Sequence, residues 1–136
     1  HRYLPDEEKP YNDLSNFEPL EVQKIEVTLI KRMIASGKVN LIGHPTRIFY
    51  KLKSLNVWKS KDIEFKKELI SDLADFASSN NAILELNTNL PNLQTLLRIY
   101  LEKNTLFTIG SDSHTCDSIG SIDYKKLDEI ISGCKT

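Results

Sequence analysis

The chain has 136 residues, 40% hydrophobic and 27% charged, with a formal net charge of −1. That suffices for one compact domain with a real core, of ordinary globular composition, and is too little for two. No apolar run approaches the roughly 18 residues of a membrane span, and near-neutrality argues against holding nucleic acid by bulk electrostatics.

Residues 1–17 are polar, with Pro5, Pro10 and the acidic cluster Asp6-Glu7-Glu8, and read as a loop. From about Glu18 to Ser36 the pattern predicts an amphipathic helix with Leu20, Ile25, Leu29, Ile30, Met33 and Ile34 as its stripe. Pro19 suits its first turn and Gly37 its stop. A strand is expected over 39–43, running into His44-Pro45.

Residues 46–61 carry Arg47, Lys51, Lys53, Lys59 and Lys61 without an acid, whereas Arg2 to Glu26 holds seven acids against three bases. Overall neutrality therefore hides a polarised chain. The basic segment reads either as a solvated loop or as a lid that attracts phosphate. A second helix is expected from about Ser60 to Ser79, burying Ile63, Leu69, Ile70, Leu73, Phe76 and Ala77. A strand over 82–87 follows, then a helix from about Pro91 to Lys103 with Leu93, Leu96, Leu97 and Tyr100 inward. A third strand over 106–110 and a last helix over about 124–132 complete the pattern. This alternation predicts an α/β fold of parallel βα units.

Each predicted strand ends in polar, metal-capable groups: His44 after the first, Glu85 and Asn87 within the second, Asp112 and His114 after the third. Parallel α/β folds bind ligands at that end of the strands. Asp112 and His114, two residues apart, would face one cavity from an extended chain. They and His44 have the chemistry to hold divalent ions, which activate water for attack on a phosphate ester. Arg47 would add a bidentate hold on the phosphate. Plainer accounts exist for each residue. A His before Pro serves turns, Asp-Ser-His after Gly serves an Asx turn or helix cap, and Arg47 would be a lone surface cation. Glu85 inside an apolar strand needs a partner: a metal, a histidine that it orients, or a structural contact.

Ile42-Gly43-His44-Pro45, Leu84-Glu85-Leu86-Asn87-Thr88 and Ile109-Gly110-Ser111-Asp112-Ser113-His114-Thr115 with Ile119-Gly120 together resemble the PHP family, the polymerase and histidinol phosphatase domains. The likeness covers nearly the whole chain, 1–136, but only the C-terminal portion of that domain. It implies part of a distorted (β/α)7 barrel with up to three zinc, manganese or iron ions in the complete domain, and phosphoester hydrolysis. Carried over by motif, His1, His44, Asp112 and His114 match metal ligands, with Asp112 and His114 catalytic, and Glu85 and Asn87 match residues that support the site. The family's opening His-x-His motif and the ligands that follow it are absent, and the chain has three histidines in all. Together with a first residue that is His rather than Met, this leads us to expect a piece of a longer domain, completed by a missing N-terminal half or another protomer.

The function expected is a metal-dependent phosphoesterase acting on a small phosphate ester. The alternatives are a PHP-type nuclease or polymerase-associated exonuclease, with nucleic acid along 47–61, and a non-catalytic binding module. Cys116 and Cys134 do not make a disulfide framework. They read as reduced thiols of a cytoplasmic protein, with Cys116 near enough to His114 to have a role at the site.

Overall fold

Three short parallel strands position everything that follows. The computed structural model describes residues 16–60, 62–111 and 115–134. Among them are five α-helices, α1 (Pro19–Ala35), α2 (Arg47–Ser54), α3 (Lys67–Ser79), α4 (Leu93–Glu102) and α5 (Tyr124–Cys134). The strands are β1 (Leu41–Ile42), β2 (Ile83–Asn87) and β3 (Leu106–Gly110), and a 3-10 turn spans Cys116–Ser118. The sheet order is β1-β2-β3, with both pairings parallel. The expected α/β class with parallel βα units is what the chain adopts. No helix among the described residues is long and apolar enough to cross a membrane.

Local chemistry sets most of the boundaries. Pro19 opens α1, and Glu18 and Glu21 form a reciprocal capping box ahead of it. Gly37, at φ +69°, terminates it in the left-handed region where a Cβ is costly. Asp123 caps α5 by accepting the Lys126 N–H at 3.0 Å.

The core lies between the helices and one face of the sheet. Leu84 and Leu86 point into it from β2, and α3 and α4 pack against that strand. From α4 come Leu93, Leu96, Leu97 and Tyr100, all four buried as the helical period predicts. Side chains alternate across a strand, so Ile83 and Glu85 face the other way. Leu41, Ile83 and Leu106 stand in one row across that second face, opposite one another in register. Leu41 is 47% exposed and Leu106 55%.

Three segments differ from the sequence expectation. The stripe of α1 is rotated: Val22, Gln23, Glu26, Val27, Ile30 and Ile34 are buried, while Leu20 and Leu29 are exposed. Residues 47–54, read above as a loop or lid, form helix α2, with Ile48, Phe49 and Leu52 buried and its lysines outward. The next helix begins at Lys67 rather than near Ser60.

Gln23 and Glu26 account for all three. The Gln23 amide donates to the Glu64 carbonyl at 3.1 Å and accepts the Lys66 N–H at 2.8 Å, holding residues 64–66 extended. The Glu26 carboxyl oxygens accept the N–H groups of Ile48 (2.9 Å) and Phe49 (3.2 Å), the otherwise unpaired donors of the first turn of α2. Two polar residues are therefore buried on α1 because they complete the backbone of its neighbours.

Candidate functional site

The rim at the carboxyl end of the sheet is built around Glu85. Its register partner on β3 is Thr108, and Gly43 follows Ile42 on β1 at the level of Glu85. Its carboxylate leans over two glycines. A Cβ on Gly43 would stand 3.5 Å from Oε2, and one on Gly110 would be 3.0 Å from Cδ and overlap Oε1 outright. Gly110 thus leaves the room this carboxylate occupies, and a side chain there would displace it.

Glu85 holds His44 twice. Its Oε2 accepts the His44 backbone N–H at 3.2 Å and lies 3.2 Å from His44 Nδ1. Both side chains are mostly shielded, at 13% exposure for His44 and 18% for Glu85. A carboxylate this close to Nδ1 favours the tautomer with its proton there, which leaves the lone pair on Nε2, as in many metal-binding histidines.

The backbone here is strained. His44 has φ +55° and Thr46 φ +74°, in a region that costs a non-glycine residue on the order of 1–3 kcal/mol. Pro45 adds its own restriction on the residue before it. What holds the turn is identifiable: the Arg47 N–H donates to the His44 carbonyl at 3.1 Å, Glu85 grips His44, and Glu26 anchors the turn of α2 that follows. Strain maintained by partners on three separate elements marks a place where geometry is specified.

The remaining candidates fall as follows. Arg47 opens α2, three residues past His44. Asn87 ends β2, buried, and its Oδ1 accepts the Asn89 N–H at 2.8 Å, which shapes the loop into α4. β3 ends at Gly110, and Ser111 Oγ accepts the Gly120 N–H at 3.2 Å. His1, Asp112 and His114 lie outside the described residues. The structure thus brings His44 and Glu85 together. Among the described residues no group of three His, Cys, Asp or Glu gathers as a metal cage. Cys116 is exposed.

Two features of the rim carry no signal in the sequence pattern. Thr46 Oγ1 and both polar atoms of the Asn92 side chain are buried without a hydrogen-bond partner among the described residues. Such a group costs about 1–3 kcal/mol if left unsatisfied. Thr46 lies in the loop after β1, and Asn92 in the loop after β2. A cleft of about 330 Å³ opens between α2, the segment after it and Pro91.

No family model, no curated protein and no solved structure matches this chain.

Proposed function

We propose that the chain forms the C-terminal part of a PHP-type (β/α)7 barrel and that its rim serves metal-dependent hydrolysis of a phosphate ester. The observation that carries this reading is the grip of Glu85 on His44, both on its backbone N–H and on Nδ1, in space left by Gly43 and Gly110. A structural ion pair would need only one of these contacts. Fixing the ring as well as the backbone aims Nε2.

The donor set fits a divalent cation such as zinc, manganese or iron: imidazoles and carboxylate oxygens in a partly shielded rim. His44, with Asp112, His114 and His1 by the family motif, would hold it. A bound cation supplies Lewis acidity toward a phosphoryl oxygen and an activated water. Glu85 orients His44, while Asn87 sets the course of the adjoining loop. Arg47, at the first turn of α2, would bind a non-bridging phosphate oxygen.

The exposed ends of one row on the second face of the sheet support the partial-barrel reading. Parallel sheets are covered on both faces, and here the row Leu41, Ile83, Leu106 is exposed at both ends. Further βα units, from the same polypeptide or another protomer, would bury that row and bring additional ligands to the rim. A nuclease remains the second reading because of the basic run at 47–61. Lys53 Nζ is already paired with Glu64 Oε1 at 2.7 Å, which weakens that run as a phosphate track.

The test is metal uptake under equilibrium dialysis against zinc or manganese, read by elemental analysis, followed by assay on a small phosphomonoester. Wild type is expected to take up metal, with His44→Ala and Asp112→Asn each losing it while keeping the native circular dichroism. Absent uptake in the wild type, or unchanged uptake in both variants, overturns the reading. Turnover confined to nucleic acid and falling steeply with salt would select the nuclease instead.

A further inference from the structure

We infer that the cleft beside α2 binds a planar aromatic ring and, on the phosphoesterase reading above, serves as its leaving-group subsite, making the substrate class an aryl phosphate ester. The location comes first. Tyr50 and Lys53, which line the cleft, stand three and six residues into α2 from Arg47, about 4.5 and 9 Å along the helix. Pro91, on the opposite wall, follows Asn87 in the loop after β2. The cleft therefore runs along α2 from one turn past Arg47, on the helix whose first residue stands at the rim.

The chemistry of the walls selects the ligand. Trp58 is stacked on Phe49 with ring centroids 5.4 Å apart at 28°, and its Nε1–H already donates to the Phe17 carbonyl at 3.0 Å. Tyr50 meets Phe49 edge-on at 5.0 Å and 80°, and its hydroxyl donates to Glu64 Oε2 at 2.6 Å. Both aromatic walls are thus fixed in place with their polar handles committed elsewhere. They offer the cleft ring surface, which suits the flat apolar face of another ring, with Lys53 Nζ 5.8 Å from the centroid of the Tyr50 ring.

The charge of Lys53 is held by Glu64, and Ser54 Oγ donates to the Lys51 carbonyl at 2.7 Å. The cleft is accordingly no phosphate site in itself, and the phosphoryl group belongs at the Arg47 and His44 end. A volume of about 330 Å³ is at the small end for a ligand pocket, which runs roughly 300–1,000 Å³. It accommodates one ring system rather than a polymer. Asn56 and Ser60 bring hydrogen-bonding groups for a ring substituent.

Trp58 is the chain's one tryptophan, so its fluorescence reports on this cleft. Titration with phenyl phosphate and with phenol is expected to change the emission saturably, whereas butyl phosphate and inorganic phosphate leave it unchanged. Ser54→Phe places a ring in the cleft while keeping the reporter, and should weaken phenyl phosphate at least tenfold with an unchanged unfolding midpoint. If that variant fails to fold, Ser60→Phe makes the same test. Equal responses to phenyl and butyl phosphate, no response to either aromatic probe, or undiminished binding in a folded blocking variant overturns the ring site even where metal uptake is intact. A saturable aromatic response in a protein that takes up no metal instead refutes the phosphoesterase reading, and with it the leaving-group role.

Discussion

Glu26 offers the sharpest test of how the rim is supported. It lies at 2% exposure on α1 and accepts the first-turn donors of α2 at 2.9 and 3.2 Å. Burial pushes its carboxyl from 4.5 up to about 8, and the two N–H donors pull it down without cancelling that cost. A helix N-terminus favours an anion by at most about 2 kcal/mol, less than the several kcal/mol that desolvating the charge demands. Between pH 4.5 and about 8 the unfolded chain has released this proton while the folded protein retains it. Stability therefore falls as pH rises through that window and levels off above it. At about 1.4 kcal/mol per unit, the full window amounts to on the order of 5 kcal/mol, comparable to the whole stability of a marginal domain. Glu26→Gln keeps the shape and removes the titration. Urea unfolding of both proteins at intervals from pH 5 to 9 isolates the residue, because every other group is common to the pair. Wild type is expected to lose several kcal/mol more than the variant across the window. At pH 5 the variant should be weaker by about 1 kcal/mol, since its amide has one acceptor for two donors. Parallel pH profiles would refute the argument from burial, and a wild type that gains stability toward pH 8 would show that the α2 N-terminus outweighs desolvation.

Two further predictions follow from side chains that serve a neighbour's backbone. Gly110→Ala moves the Glu85 carboxylate aside, because the added methyl overlaps Oε1 at the end of a flexible side chain; a loss of about 1 kcal/mol in urea unfolding is expected, the worth of the hydrogen bond to the His44 N–H that it disturbs, and an unchanged midpoint would show that contact to be loose. Gln23→Leu leaves the Glu64 carbonyl and the Lys66 N–H without partners; it should cost about 1–3 kcal/mol and abolish hydrogen-exchange protection of the Lys66 amide, and retained protection there would count against the clamp.

What could be read from the sequence divides along a physical line. The parallel sheet follows from apolar runs alternating with helical ones, and α4 shows its inward Leu93, Leu96, Leu97 and Tyr100 because nothing but packing selects them. Helix α2 is hidden: Ile48, Phe49 and Leu52 alternate with half-buried lysines, and Thr46, a residue type suited to an N-cap, makes no side-chain cap. Its cap is Glu26, on another helix. The late start of α3 has the same origin, since Gln23 holds the backbone of 64–66, and no periodicity within 60–79 records that contact. At the rim, His44 and Glu85 are each visible as polar residues at strand ends. Their pairing depends on register, which places Glu85 level with Gly43 and within reach of the space above Gly110.

Glu85, Glu26 and Gln23 thus act alike: each stands on a regular element and supplies a partner to the backbone of a segment that lacks one. The consequence for the site is specific. His44 lies in a strained turn between β1 and α2, and Arg47 opens α2, so their positions are set less by the turn than by β2 on one side and α1 on the other. A rim built this way keeps a histidine aimed while its loops vary, because the groups that aim it lie in the sheet and in α1.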